Sequence, residues 1–164
     1  MRMELIQPFI NAADAVLAET LHSSTKIGDV SMDEEAYRRK GVAAIITIVG
    51  DIEGRVIFDL DPGTAVKVAS HLAGQPVKES ESIVRETVLE LANLVIGNAV
   101  TSLNDEGYRF KIAPPTLHTD NQGISGSEDT EALVMSFDTP EGCVFMNIAM
   151  RYNRRRRQER AATV

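Results

Sequence analysis

The chain of 164 residues has one cysteine, Cys143, so no disulfide can form within it and the disulfide-stapled secreted scaffolds are excluded. No apolar run approaches the roughly 18 residues that a membrane-spanning helix needs. The opening MRMELIQPFINAADAV breaks its apolar pattern with acids and polar residues and lacks the cleavage site of a secretory leader. A cytoplasmic protein with no membrane partner is expected. HExxH, CxxC and comparable ligand clusters are missing, and His22, His71 and His118 are scattered, so no metal site of its own is expected. Glycine-rich phosphate loops and internal repeats are missing too. Cys143 lies in the strand-like run GCVFMNIAMR with no histidine nearby in sequence, and reads as a small core residue rather than a nucleophile.

What is present is the composition of one globular domain: 43% hydrophobic and 25% charged residues, enough for a single good core. The net charge of −7 is unevenly placed. Residues 151–164 hold six arginines and one glutamate, which leaves the first 150 residues at −12. A body of that sign repels a phosphate backbone, so nucleic acid is not an expected partner of the domain. We expect residues 1–150 to form the domain and the Arg-rich residues 151–164, without an apolar face, to be a disordered tail.

Along the chain, Leu5, Phe9, Ala12, Ala13, Val16 and Leu17 fall near helical spacing, predicting an N-terminal amphipathic helix. Residues 21–39 read as polar and irregular, with at most one short strand near 26–32. VAAIITIVG and RVIFDL, split by GDIEG, predict a central hairpin. Asp61 followed by Pro62 looks like a helix start, a better reading of the acids Asp59 and Asp61 than a metal site. That helix would present Ala65, Val68, Ala69 and Leu72 to the core and stop at Gly74. Residues 108–112 alternate as a strand that Pro114 and Pro115 end, residues 118–130 read as a loop, and ALVMSFDT with CVFMNIAMR predict a second hairpin. The order of elements predicts an α+β fold: a largely antiparallel sheet with helices packed on one face.

The longest helical pattern runs from Glu79 to Gly107. At about 100° per residue, Val84, Val88, Leu91, Val95 and Ala99 form one stripe, widened by Ala92, Ile96 and Leu103. Glu86, Glu90, Asn93, Gly97 and Asn104 share the opposite side. A glycine in mid-helix costs about 1 kcal/mol against alanine, and here it leaves a gap beside a carboxylate and a carboxamide three residues apart. Such a pair can hold a water and engage a cation. Spacing alone favours a solvated helix face.

The wider pattern resembles the CheC/CheX family of chemotaxis phosphatases, whose active-site helix carries E-x-x-N with a proline some twenty residues later. Here Glu90, Leu91, Ala92 and Asn93 are followed by LVIGNA and then by Pro114 and Pro115, a slightly short spacing. Most of residues 1–150 share the likeness, including GVAAIITIVGDIEGRVIFDL and the helix ending at Gly74. Glu86 stands where the family usually has Asp or Ser. One E-x-x-N suggests a single-site, CheX-like protein. The resemblance implies a homodimer that dephosphorylates a CheY-type response regulator, with no cofactor of its own, the receiver domain bringing the phospho-aspartate, Mg2+ and a lysine. Asn93 would position the water and Glu90 would pair with the lysine, with Glu86, Gly97 and Asn98 as further partner contacts. The alternative is a non-enzymatic receiver-binding or flagellar-switch adaptor of the same fold.

Overall fold

The computed structural model describes residues 2–33, 37–119, 124–125 and 131–154. In chain order the elements are α1 (Met3–Leu21), β1 (Lys26–Asp33), β2 (Tyr37–Arg38), β3 (Val42–Gly50), β4 (Ile52–Leu60), α2 (Pro62–Ala73), α3 (Ser82–Asp105), β5 (Phe110–Ile112), β6 (Thr116–His118), β7 (Ile124–Ser125), β8 (Ala132–Thr139) and β9 (Gly142–Tyr152). A seven-stranded sheet runs β1-β8-β9-β4-β3-β5, with β6 also on β3, and every pairing is antiparallel. The three helices cover one face, as the order of elements predicts.

That face follows the two-residue period of the strands. Val56, Phe58 and Leu60 of β4 and Val144, Met146 and Ile148 of β9 are buried in one cluster with Phe9 and Leu17 of α1 and Leu91 and Val95 of α3. Asp61 caps α2, accepting from the Thr64 backbone N–H at 2.9 Å, with Pro62 in the first turn. This engages the Asp61 carboxylate locally and excludes it from a pair with Asp59, which points to the other face. Leu72 departs from expectation: it is exposed, and Thr64 joins Ala65, Val68 and Ala69 in the buried set of α2.

The opposite face holds what sequence reading missed. Strand β1 lies where a short strand near 26–32 is expected, but the same segment also supplies β2, which pairs with β7 as a separate two-stranded sheet. Tyr37 of β2 anchors it by donating from its hydroxyl to Asp59 at 2.9 Å, while the Lys40 backbone N–H donates to the same carboxylate oxygen at 2.7 Å. Strand β5 ends before Pro114 and Pro115 as expected, pairing with Ile48–Gly50, but the chain then resumes as β6 opposite Ala43–Ile45. The rest of the expected loop lies largely outside the described residues.

Two further boundaries move. Strand β9 continues past residue 150, with an Arg151–Glu53 ion pair at 2.8 Å and the Tyr152 hydroxyl donating to Glu4 at 2.9 Å. The sheet therefore ends two residues later than the sequence suggests, and residues 155–164 of the expected tail lie outside the described residues. Cys143 is only half-buried, and its thiol donates to Asp138 at 3.2 Å. It belongs to the sheet's outer face, since β9 residues facing the helices are the even-numbered ones. The hydrogen bond to Asp138, aided by burial, pushes its pKa up and keeps it a thiol.

Asp59 is fully buried, and its second oxygen has no hydrogen-bond partner among the described residues. Burial pushes its carboxyl above the usual range against its hydrogen bonds to Lys40 and Tyr37. Between the ordinary and the raised value the folded chain holds a proton that the unfolded chain releases, so this group's contribution to stability grows as pH falls and shrinks as pH rises. Asp59→Asn keeps an acceptor for both donors and removes the buried charge. In urea melts the parent should gain stability relative to the variant as pH falls from neutral toward the ordinary carboxylate range. A constant gap across that range would show that Asp59 titrates like an exposed carboxylate.

Candidate active site on the long helix

Helix α3 begins three residues later than its apolar pattern, at Ser82, after a turn in which the Lys78 N–H donates to the Glu81 carboxylate at 2.9 Å. Its expected stripe is buried in full: Val84, Val88, Leu91, Ala92, Val95, Ile96, Ala99 and Leu103. The helix is thus fixed along one side by α1, α2 and the sheet, and its rotation sets what the other side presents.

The other side presents Glu86, Glu90, Asn93, Gly97, Asn98 and Asn104, all exposed. Glu90 and Asn93 lie within a turn of each other. Among the described residues no hydrogen bond or ion pair engages either side chain, so both are open to solvent. A side chain built at Gly97 would meet nothing within 4 Å, so the glycine satisfies no contact within the fold. Just beyond it the helix uses its own hydroxyls: Thr101 Oγ1 donates to the Gly97 carbonyl at 3.0 Å and Ser102 Oγ to the Asn98 carbonyl at 3.4 Å. Sequence reading missed Leu94, which is 45% exposed on this same side.

These residues form an exposed helix face. A cavity of about 360 Å³ lies elsewhere, lined by Val49, Gly50, Arg109, Phe110, Lys111 and Asn153, without a carboxylate or nucleophile. His22 and His71 do meet, with ring centroids 6.0 Å apart, and His71 Nδ1 lies 3.4 Å from Glu141, but this group is on other elements. Among the described residues no three His, Cys, Asp or Glu side chains are placed to hold a metal, and no helix is long and apolar enough to cross a membrane. Chemically, a lone exposed carboxylate and amide can pair with a cation and orient a water. They do not supply a nucleophile or a Lewis acid.

The family model for chemotaxis phosphatase CheX matches residues 42–138, from β3 through α3 to β8. The chain belongs to the CheX family. It is 25% identical over 118 residues to the CheY-P phosphatase CheX of Thermotoga maritima, covering 71% of this chain and 76% of that one. The structure of a CheX-CheY-BeF3-Mg2+ complex from Borrelia burgdorferi is 32% identical, with a TM-score of 0.72 and coverage of 92% and 99% of the two chains. A CheC-like superfamily protein from Shewanella superposes with a TM-score of 0.83 at 22% identity, covering 92% of this chain and 99% of that one. As a CheX-family protein the chain has the mixed α+β sandwich of these neighbours, and its E-x-x-N helix lies inside the matched region.

Proposed function

We propose that this protein is a phosphatase that hydrolyses the phospho-aspartate of a CheY-type receiver domain. The observation that carries the reading is the exposed, unpartnered Glu90 and Asn93 on one side of a helix fixed by its buried stripe. An acyl phosphate already has a good leaving group. Hydrolysis needs a water in line with the P–O bond to the aspartate: the water oxygen bonds to phosphorus, that P–O bond breaks, and the aspartate leaves as a carboxylate. The Asn93 side-chain carbonyl accepts a hydrogen bond from this water and orients it. Glu90 pairs with a lysine of the receiver and fixes the register of docking. A metal ion comes with the receiver and neutralises phosphoryl charge; Glu86, Gly97 and Asn98 border the docked partner. Incubating the protein with phosphorylated receivers from the same organism tests this, since no acceleration of phosphate release from any of them would sink it.

A non-enzymatic adaptor is the second reading, favoured by Glu86 at the position where the family usually has Asp or Ser. Stable binding without phosphate release would select it.

We further propose a homodimer joined through β1. This strand ends the sheet order, and Ile27, Val30 and Met32 on it are about half exposed. An eight-residue edge with a row of apolar side chains is a liability in a monomer and self-complementary in an antiparallel pair. Light scattering at micromolar concentration should give the mass of two chains, and Val30→Lys should shift it toward one. A parent mass of one chain would rule the dimer out.

A further inference from the structure

Leu94 is the large apolar side chain on the otherwise polar face of α3. At helical spacing its neighbours on that face are Glu90 one turn before it, Gly97 and Asn98 one turn after, and Thr101 two turns after. None of these is apolar and large enough to shelter it, and the open space at Gly97 leaves its C-terminal flank bare. Side chains on a helix lean toward its N-terminus, so Leu94 covers the turn that carries Glu90. An exposed leucine alone is unremarkable on a protein surface. This one stands one helical turn from an exposed carboxylate that no described side chain engages, so it would flank any cation paired there.

We propose that Leu94 is a specificity-determining docking residue that shields the Glu90 ion pair from water once a receiver is seated. The inference rests on the phosphatase reading for its partner: a receiver domain that presents a lysine ammonium to Glu90 and apolar surface beside that lysine. In the bound state Leu94 excludes water from one flank of the carboxylate–ammonium contact, which lowers the local dielectric and strengthens the attraction. A receiver with a polar side chain beside its lysine would leave Leu94 against an unsatisfied group and bind less well. Leu94 touches neither the attacking water nor the phosphoryl group, so it acts on binding and not on the chemical step.

The test measures binding of the full chain to a CheY-type receiver from the same organism, held active with beryllofluoride and magnesium, across a range of salt, alongside phosphate release. Leu94→Ala should weaken binding about tenfold and raise KM to match, leaving kcat within about twofold. It should also steepen the loss of affinity with salt, because the exposed pair is screened more. Leu94→Met should restore both affinity and salt response, as a side chain of similar volume covers Glu90 equally. Unchanged affinity in Leu94→Ala would overturn the proposal, and so would a loss with no change in salt response, which would make Leu94 a plain contact. If the parent binds the receiver but releases no phosphate, the phosphatase reading fails while the comparison of Leu94 variants still decides this one. If the parent binds no receiver, both fall.

Discussion

Asn93→Ala is expected to keep the fold and the receiver affinity of the parent while phosphate release at saturation falls about 30- to 1000-fold, the equivalent of ~2–4 kcal/mol of transition-state stabilisation. The side chain is exposed and unpartnered, so nothing in the core depends on it. Alanine is also the better helix former. On the proposed mechanism, what is lost is the acceptor that orients the water. Glu90→Ala gives the contrasting pattern, in which affinity falls together with turnover because the receiver's lysine loses its partner. Thermal melts matching the parent establish that both variants are folded. A folded Asn93→Ala protein that released phosphate at the parental rate would remove the water-positioning role.

The largest effect on stability is expected at Gly54. It pairs with Ile48 of β3 and Met150 of β9 at a backbone φ of 153°. A Cβ there would lie 1.8 Å from the Ala149 carbonyl oxygen and 3.0 Å from the Met150 Cα. Both obstacles are backbone in a paired strand, so the clash can be relieved only by parting β4 from β9. Gly54→Ala should therefore cost more than about 3 kcal/mol, enough to leave much of the chain unfolded. Gly97→Ala is the matched control: its Cβ enters empty space on a helix and should stabilise by up to about 1 kcal/mol. A Gly54→Ala protein as stable in urea as the parent would mean the strands accommodate the methyl group.

The contrast between these glycines shows which parts of the molecule can be read from sequence. The buried stripe of α3 was legible because one helix contributes eight apolar residues at a regular angle, and the cap of α2 because Asp61 and Pro62 are adjacent. Helix periodicity also placed Glu90 and Asn93 on one exposed face. Strand β2 was not legible: two residues carry no period, and Tyr37 owes its place to an aspartate 22 positions later. Strand β6 was hidden because a proline pair ends a strand locally, whereas β3 is long enough to receive the chain again beyond it. Leu72 fits an apolar helix stripe, but only packing decides that it points outward. Leu94 went unread because averaging over a polar face treats one leucine as noise. Periodicity does not tell the Glu90–Asn93 pair from a solvated surface, because exposure and the lack of an internal partner are common to both.

Strand β9 lies between β8 and β4, joining a β1–β8 pair to a β4–β3–β5 group. It is also the last strand of the sheet to be synthesised. All three helices, and the strands of both halves, leave the ribosome before the segment that unites them. Until residues 142–152 emerge, the inner edges of β4 and β8 are unpaired and the apolar faces of Phe58 and Phe137 lack their neighbours on β9. A chain that lacks these residues therefore presents two unpaired inner strand edges at once, because β9 fills a gap in the middle of the sheet and does not extend it at an edge.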